Sequence, residues 1–157
     1  MKRIGRYITW AMVCCFILAG CRHEEKHSDL LHREFYQTLW ERFDFVDNRV
    51  EVKVPTTYDL GLRLSFTEDY VYDYISMVFT VFDAYDTPYR SKAYKFKVKD
   101  QEGHWNSQLV DGCYTFDLPI NKELQITEPG VYRFQIEQTI PTTPLLGVKE
   151  LTLYNNK

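Results

Sequence analysis

The 157-residue sequence has little of several features that define common protein classes. Its 19 lysines and arginines stand against 22 acidic residues, so the net charge is −3. A nucleic-acid binder needs a concentrated basic surface to displace counterions, and this balance does not provide one. None of the seven glycines belongs to a common phosphate-binding loop. Four cysteines are too few for a disulfide scaffold. The composition therefore favours a single acidic domain with an ordinary hydrophobic core.

A membrane-spanning run is also missing near the N-terminus. The apolar stretch Tyr7–Leu18 covers about 12 residues, whereas a spanning helix needs roughly 20. It follows the basic residues Lys2, Arg3 and Arg6, an order that is typical of a secretory signal peptide.

The end of this stretch, Leu18-Ala19-Gly20-Cys21, resembles the bacterial lipobox. There the cysteine thiol accepts a diacylglycerol, cleavage falls before that cysteine, and the new amine receives an acyl chain such as palmitate. An ordinary signal peptide that ends near a cysteine is the alternative. We predict a lipoprotein signal peptide over residues 1–20 and lipid attachment at Cys21. The mature chain would then hold one further cysteine, Cys113, and no intramolecular disulfide.

Residues 21–39 are predicted to be a lipidated tether that is polar at its start. Leu31, Phe35 and Leu39 recur at i, i+4 and i+8, so a short helix near 29–40 is one interpretation. The alternative is that the sheet already begins within this stretch.

Further along the chain, apolar and polar residues alternate with the period of half-buried strands. The alternating stretches are 50–54, 60–66, 74–84, 94–98, 114–118, 132–136 and 148–154. We predict an all-β fold for residues 40–157, an antiparallel β-sandwich of about 7–9 strands with a jelly-roll or immunoglobulin-like arrangement. The stretch 74–84 is expected to lie centrally. Lys95, Lys97 and Lys99 share one strand face, which favours a charged edge strand.

Residues 23–27, His-Glu-Glu-Lys-His, match the zinc-peptidase pattern H-E-x-x-H. The match lies in a polar spacer that cannot hold ligands rigidly, so we expect no metal site there. His104 is the only histidine of the predicted sheet domain and is interpreted as a turn residue. Cys113 is expected to be a packed or edge thiol rather than a nucleophile. Two aspartate pairs, Asp69 with Asp73 and Asp83 with Asp86, are interpreted as turn carboxylates. No catalytic residue and no cofactor are predicted.

The 12 tyrosines and 10 phenylalanines support a second interpretation. A lipid-anchored carbohydrate-binding or hydrolytic β-sandwich would display an exposed aromatic row beside two carboxylates. A filled core with one exposed apolar patch would instead favour a protein-interaction role.

The loop Ile140-Pro141-Thr142-Thr143-Pro144-Leu145-Leu146 is apolar and proline-rich, and we expect it to connect the two strands of a C-terminal hairpin. Loops on a rigid sandwich commonly carry binding, and prolines lower the entropy lost on docking. We therefore predict that a protein partner binds Ile140, Pro141, Pro144, Leu145 and Leu146. The alternative is that Leu145 and Leu146 fold back onto the core.

Several stretches between Trp40 and Tyr154 resemble the gliding-motility lipoprotein family GldH of the Bacteroidota. They are Tyr58-Asp59-Leu60-Gly61-Leu62-Arg63-Leu64, Tyr70 to Tyr74, Asp100 to Trp105, Gly130 to Thr139 and Leu146-Gly147-Val148. The resemblance implies a non-enzymatic, membrane-anchored envelope protein that works with protein partners in gliding and the linked secretion machinery. It also implies outer-membrane location. The acidic pair Glu24 and Glu25 looks like the surface-export signals of lipoproteins in that phylum, so the outer leaflet is one interpretation and the periplasmic leaflet is the alternative.

We predict that Cys21→Ala abolishes lipid incorporation and leaves uncleaved precursor or soluble protein. The mature chain has no apolar segment long enough to hold a bilayer, and its charge of about −6 repels anionic headgroups. Membrane fractions of cells that express the variant are washed with carbonate and probed for the protein. Retention of a correctly cleaved variant at the wild-type level would contradict the prediction.

Overall fold

The computed structural model describes residues 28–157, and this part of the chain is all-β. It contains eleven strands and a short 3-10 turn, Tyr36–Thr38, but no α-helix. The strands are β1 (Ser28–Glu34), β2 (Leu39–Trp40), β3 (Val46–Val52), β4 (Thr56–Phe66), β5 (Tyr74–Phe82), β6 (Pro88–Lys97), β7 (Leu109–Val110), β8 (Cys113–Ile126), β9 (Gly130–Gln138), β10 (Leu145–Leu146) and β11 (Val148–Asn155). The predicted all-β fold is confirmed.

The strands form two antiparallel sheets that pack face to face as a sandwich. The five-stranded sheet has the order β1-β11-β4-β8-β7, and the four-stranded sheet has the order β3-β9-β5-β6. A two-stranded ribbon, β10-β2, lies at one end. Three of the eleven strands have only two residues, so the longer strands agree with the expected number.

Alternation along each strand determines which side chains enter the core. In β9, Tyr132, Phe134 and Ile136 are buried between the sheets, whereas Arg133 and Gln135 lie on the outer face. The core joins residues of both sheets and includes Trp40, Leu60, Leu62, Leu64, Phe66, Tyr70, Ile75, Met77, Leu124, Ile126, Phe134 and Ile136 as its largest fully buried side chains. Burial of each such side chain stabilises the fold by about 1.5–3 kcal/mol relative to exposure.

The helix considered near residues 29–40 does not form. Ser28–Glu34 is strand β1, which pairs with β11 from Ser28↔Asn155 to Glu34↔Glu150. Leu31 and Phe35 pack into the core, and the pairing with β11 satisfies backbone groups that a helix would have satisfied internally. Strand pairing therefore starts at Ser28, upstream of residue 40. The predicted signal peptide, Cys21 and the H-E-x-x-H match lie outside the described residues.

The lysine-rich strand lies at an edge, as predicted. β6 is the last strand of the four-stranded sheet, and Lys95 and Lys97 are exposed on its outer face. β5, which contains most of the stretch expected to be central, lies between β6 and β9. Lys99 differs from the prediction because it follows the end of β6 and turns inward. Its Nζ donates a hydrogen bond to the carbonyl oxygen of Tyr70.

The C-terminal strands do not form the predicted hairpin. β9 belongs to the four-stranded sheet, whereas β11 lies inside the five-stranded sheet between β1 and β4. The intervening segment crosses from one sheet to the other, and its short strand β10 pairs with β2 instead. After the crossover, β11 pairs with β1 on one side and with β4 on the other.

Gly147, at the end of this crossover, packs closely against the backbone of Tyr70. Its φ is +88°, and an added Cβ would lie 2.3 Å from the Tyr70 backbone nitrogen. Gly112 also has a positive φ, +76°, but nothing lies within 4 Å of its Cβ position. We expect Gly112→Ala to lower the free energy of unfolding by about 1–2 kcal/mol through backbone strain. Gly147→Ala should lose a further ~1–3 kcal/mol through overpacking. Urea unfolding of both variants measures the difference, and equal losses would contradict the packing described here.

Candidate interaction face

Several connections between strands meet at one end of the sandwich. They are the β2–β3 loop (41–45), the β4–β5 loop (67–73) and the β9–β10 loop (139–144). We call this end the loop face and define it by five exposed residues. They are Phe43, Val71, Pro141, Pro144 and Leu146.

Hydrogen bonds hold these loops against one another. In the β2–β10 ribbon, Trp40 pairs with Leu145 and Leu39 pairs with Leu146. The backbone N–H of Arg42 donates to the Thr143 hydroxyl at 3.1 Å. On the other side, the side chains of Tyr72 and Thr142 share a hydrogen bond. The β9–β10 loop is therefore fixed between the other two loops.

The five residues predicted to bind a partner separate into two groups. Ile140 and Leu145 are buried in the core, whereas Pro141, Pro144 and Leu146 are exposed. Leu145 and Leu146 point to opposite sides because successive side chains of a strand alternate. The alternative in which both leucines return to the core is therefore correct for Leu145 only.

Sequence reasoning missed two apolar side chains of the loop face. Phe43 is 68% exposed and Val71 is 77% exposed, while Leu146 is 46% exposed. Phe43 has a φ of +66°, a region that bulky side chains rarely adopt, and the Arg42 guanidinium lies 5.4 Å from its ring centre. Both residues lie in loops, outside the alternating strand pattern. An apolar residue outside that pattern was the sequence signal that could have identified them as exposed. Together with Leu146 they are exposed apolar side chains of three separate chain segments at this end of the sandwich.

Packed aromatic rings support the β4–β5 loop from below. Tyr70 is fully buried and packs against Phe66 and Trp105, with ring centres 4.6 and 6.2 Å away. Trp105 stacks on Tyr114 at 4.3 Å. Burial raises the pKa of the Tyr70 phenol, and its hydroxyl donates to the Tyr74 carbonyl at 2.7 Å. This support is rigid, because interlocked rings leave few alternative rotamers.

Lys99 joins the same support from the loop after β6. Its ammonium lies 4.4 Å from the centre of the Trp105 ring. Burial lowers the pKa of Lys99, and the carboxylate of Asp73 opposes that shift. Stretches that carry the family resemblance therefore meet here, because Tyr70 contacts both Trp105 and Gly147.

The residues considered for catalysis take structural positions. Asp100 Oδ1 accepts hydrogen bonds from the backbone N–H groups of His104 and Glu102, and these bonds lower the pKa of Asp100. The His104 ring is exposed, with Nδ1 3.3 Å from Asp100 Oδ2 and 3.5 Å from Glu102 Oε2. His104 thus lies in a turn, as predicted. Cys113 is buried at the start of β8, also as predicted.

Two groups of potential metal ligands occur in the described part of the chain. One consists of Asp100, Glu102 and His104, and the other of His32, Glu34 and Glu150. In the first group Asp100 Oδ1 is already engaged by backbone N–H groups. By accepting these hydrogen bonds, the Asp100 carboxylate stabilises the turn that contains Glu102 and His104.

In the described part of the chain, Asp83, Asp86 and Asp117 are each engaged by groups of their own fold. Asp83 Oδ1 accepts from two backbone N–H groups of its own turn, and Asp86 pairs with Arg133 at 3.0 Å. A shallow pocket of about 300 Å³ beside Asp117 contains one aromatic residue, Tyr154. The Asp117 carboxylate is engaged there by Arg63 at 2.8 Å and by the Tyr154 hydroxyl at 3.2 Å.

The family model described as GldH lipoprotein matches residues 31–153. A comparison with curated proteins finds no match. Among residues 28–157, no helix is long and apolar enough to cross a membrane.

The opposite burial of two neighbouring leucines gives a test of the loop face. We expect Leu145→Ser to lower the free energy of unfolding by about 2–5 kcal/mol, because it removes a core side chain and leaves a polar group. Leu146→Ser should change it by only about 0.5 kcal/mol, because that side chain is largely in solvent. Urea denaturation of the two matched variants measures both values. Similar losses in the two variants would show that the loop packs differently.

Proposed function

The chain belongs to the GldH lipoprotein family, and from this premise we propose that it is a lipid-anchored, non-enzymatic subunit that binds an envelope protein through its loop face. The family sets the context, a membrane-anchored lipoprotein associated with gliding motility. The finer parts of the proposal are lipid attachment at Cys21, outer-membrane location, and participation in the gliding and linked secretion machinery.

One observation carries the choice of surface. Phe43, Val71 and Leu146 come from separate segments of the loop face, each is exposed, and hydrogen bonds join these segments to one another. Burial of apolar area at a protein interface stabilises a complex most when the contributing side chains are already ordered. Pro141 and Pro144 beside them restrict the backbone further. The surface thus combines apolar side chains with a backbone that loses little conformational entropy when a partner binds.

A non-enzymatic role is supported by where the chemically active residues lie. The carboxylates of Asp83, Asp100 and Asp117 bind groups of their own fold. The hydroxyl of Ser107 donates to the Thr115 carbonyl, and His104 lies in an exposed acidic turn. These groups stabilise turns and sheet faces of the domain itself.

Site-specific crosslinking tests the proposal. A photo-reactive phenylalanine analogue is placed at Phe43 or Val71 in the full chain, and cells are irradiated before the envelope is solubilised. The matched control carries the same analogue at Val131, an exposed residue on the outer face of β9. We expect one discrete envelope-protein adduct at positions 43 and 71 and none at 131. The same adduct from all three positions, or none from any, would overturn the loop face as the binding surface.

Serine variants measure the contribution of the surface. Phe43→Ser combined with Val71→Ser should reduce recovery of the adduct partner by about tenfold, equivalent to about 1.4 kcal/mol of binding free energy. The substitutions lie on exposed loops, so thermal unfolding should remain close to that of the wild type. Val131→Ser is the matched control and should leave recovery unchanged. An equal loss with Val131→Ser would contradict the assignment.

A further inference from the structure

The end of the sandwich opposite the loop face also carries exposed apolar side chains. We call it the turn end and define it by Val54 in the β3–β4 turn, Tyr85 in the β5–β6 turn and Pro129 in the β8–β9 turn. Val54 is 64% exposed and Tyr85 is 89% exposed. The β5–β6 and β8–β9 turns lie close together, because a Cβ on Gly130 would lie 3.9 Å from the Cβ of Ala84.

The length of chain between the lipid site and the first strand limits where the turn end lies. Seven residue steps separate Cys21 from Ser28, and they span at most about 25 Å when fully extended. β1 begins at Ser28, which pairs with Asn155, and Asn155 pairs with Leu60 of β4. A lipid on Cys21 therefore holds this level of the sheet close to the bilayer surface.

The turn end projects beyond that level toward the N-terminal side. β4 starts at Thr56, four residues before Leu60, and that stretch of strand adds about 13 Å. Subtracting this length from the reach of the tether leaves at most about 12 Å between the turn end and the lipidated residue, even for an upright sandwich. The headgroup layer itself is about 5–8 Å thick on each side of a bilayer.

We propose that the turn end rests on the bilayer that holds the lipid anchor, with Val54 and Tyr85 in the headgroup region. This inference rests on lipid attachment at Cys21, which is part of the proposed function. Tyrosine favours the membrane interface because its ring is apolar and its hydroxyl remains hydrated. The loop face then points away from the membrane, toward proteins of the envelope.

The charges near Tyr85 are compatible with this contact. Asp86 pairs with Arg133 at 3.0 Å and lies 3.8 Å from Arg49, so its carboxylate is balanced by two guanidinium groups. Asp83 accepts hydrogen bonds from the backbone N–H groups of Tyr85 and Thr87. The tip of the turn therefore presents the tyrosine ring rather than an unpaired acid.

Quenching by brominated phospholipids tests the contact directly. The lipidated full chain is reconstituted into vesicles with and without bromine on the acyl chains near the headgroups, after mass analysis has shown the lipid on Cys21. Variants Tyr85→Trp and Val54→Trp report on the turn end, and Phe43→Trp is the matched control on the loop face. The native Trp40 and Trp105 give the baseline, since Trp40 is buried and Trp105 is partly buried.

We expect the added emission at positions 85 and 54 to lose most of its intensity in brominated vesicles, while the emission at 43 is unchanged. Quenching at 43 alone, or equal quenching at both ends, would overturn the proposal. A second variant inserts a Gly-Ser segment of about 20 residues between His27 and Ser28, with an r.m.s. span of about 25 Å. It should reduce quenching at 85, and full retention would refute the role of the short tether. Partner crosslinking is measured separately, so failure of the loop-face proposal is distinguishable from failure of this one.

Discussion

β11 lies between β1 and β4, and the positions of both ends of the sandwich depend on this placement. Its last residues hold Ser28 against Asn155, which fixes where the N-terminal segment enters the domain. At its other end, Gly147 precedes the strand and packs against the Tyr70 backbone, which fixes the loop face. The position of β11 therefore determines both where the N-terminal segment enters the domain and how the loop face is packed. Because pairings on both sides link distant parts of the chain, the sheet forms only when its N- and C-terminal portions meet.

Strand positions after residue 40 could be predicted because one face of each sheet is buried and the other is solvated. Because of that asymmetry, apolar and polar residues alternate along each strand, as in β9. β1 was harder to identify. Leu31, Phe35 and Leu39 are separated by even numbers of residues, so their spacing fits one face of a strand as well as a helix. Pairing with the distant β11 resolved the ambiguity, and a local pattern contains no information about that partner.

The loop face shows the same limit at the level of single side chains. A proline-rich apolar segment could be recognised as a surface loop, but the opposite orientations of Leu145 and Leu146 come from pairing with Leu39 and Trp40, more than a hundred residues earlier. Lys99 is a similar case. It continues the lysine alternation of β6, yet the strand ends before it, and its ammonium binds the Tyr70 carbonyl. Composition and periodicity indicate that such residues belong to a loop or a strand. Contacts with distant parts of the chain determine whether their side chains point into the core or into solvent.

Charge on the edge strands has a consequence for a protein confined to a membrane. Molecules anchored in one plane meet far more often than the same number in solution, so an unprotected strand edge would promote chain-to-chain polymerisation. Three of the four edge strands are charged or short. β6 carries Lys95 and Lys97, β3 carries Asp47 and Arg49, and β7 has two residues. Two β6 edges that meet in the membrane plane would bring lysines of like charge together, so lateral crowding does not favour pairing along this edge.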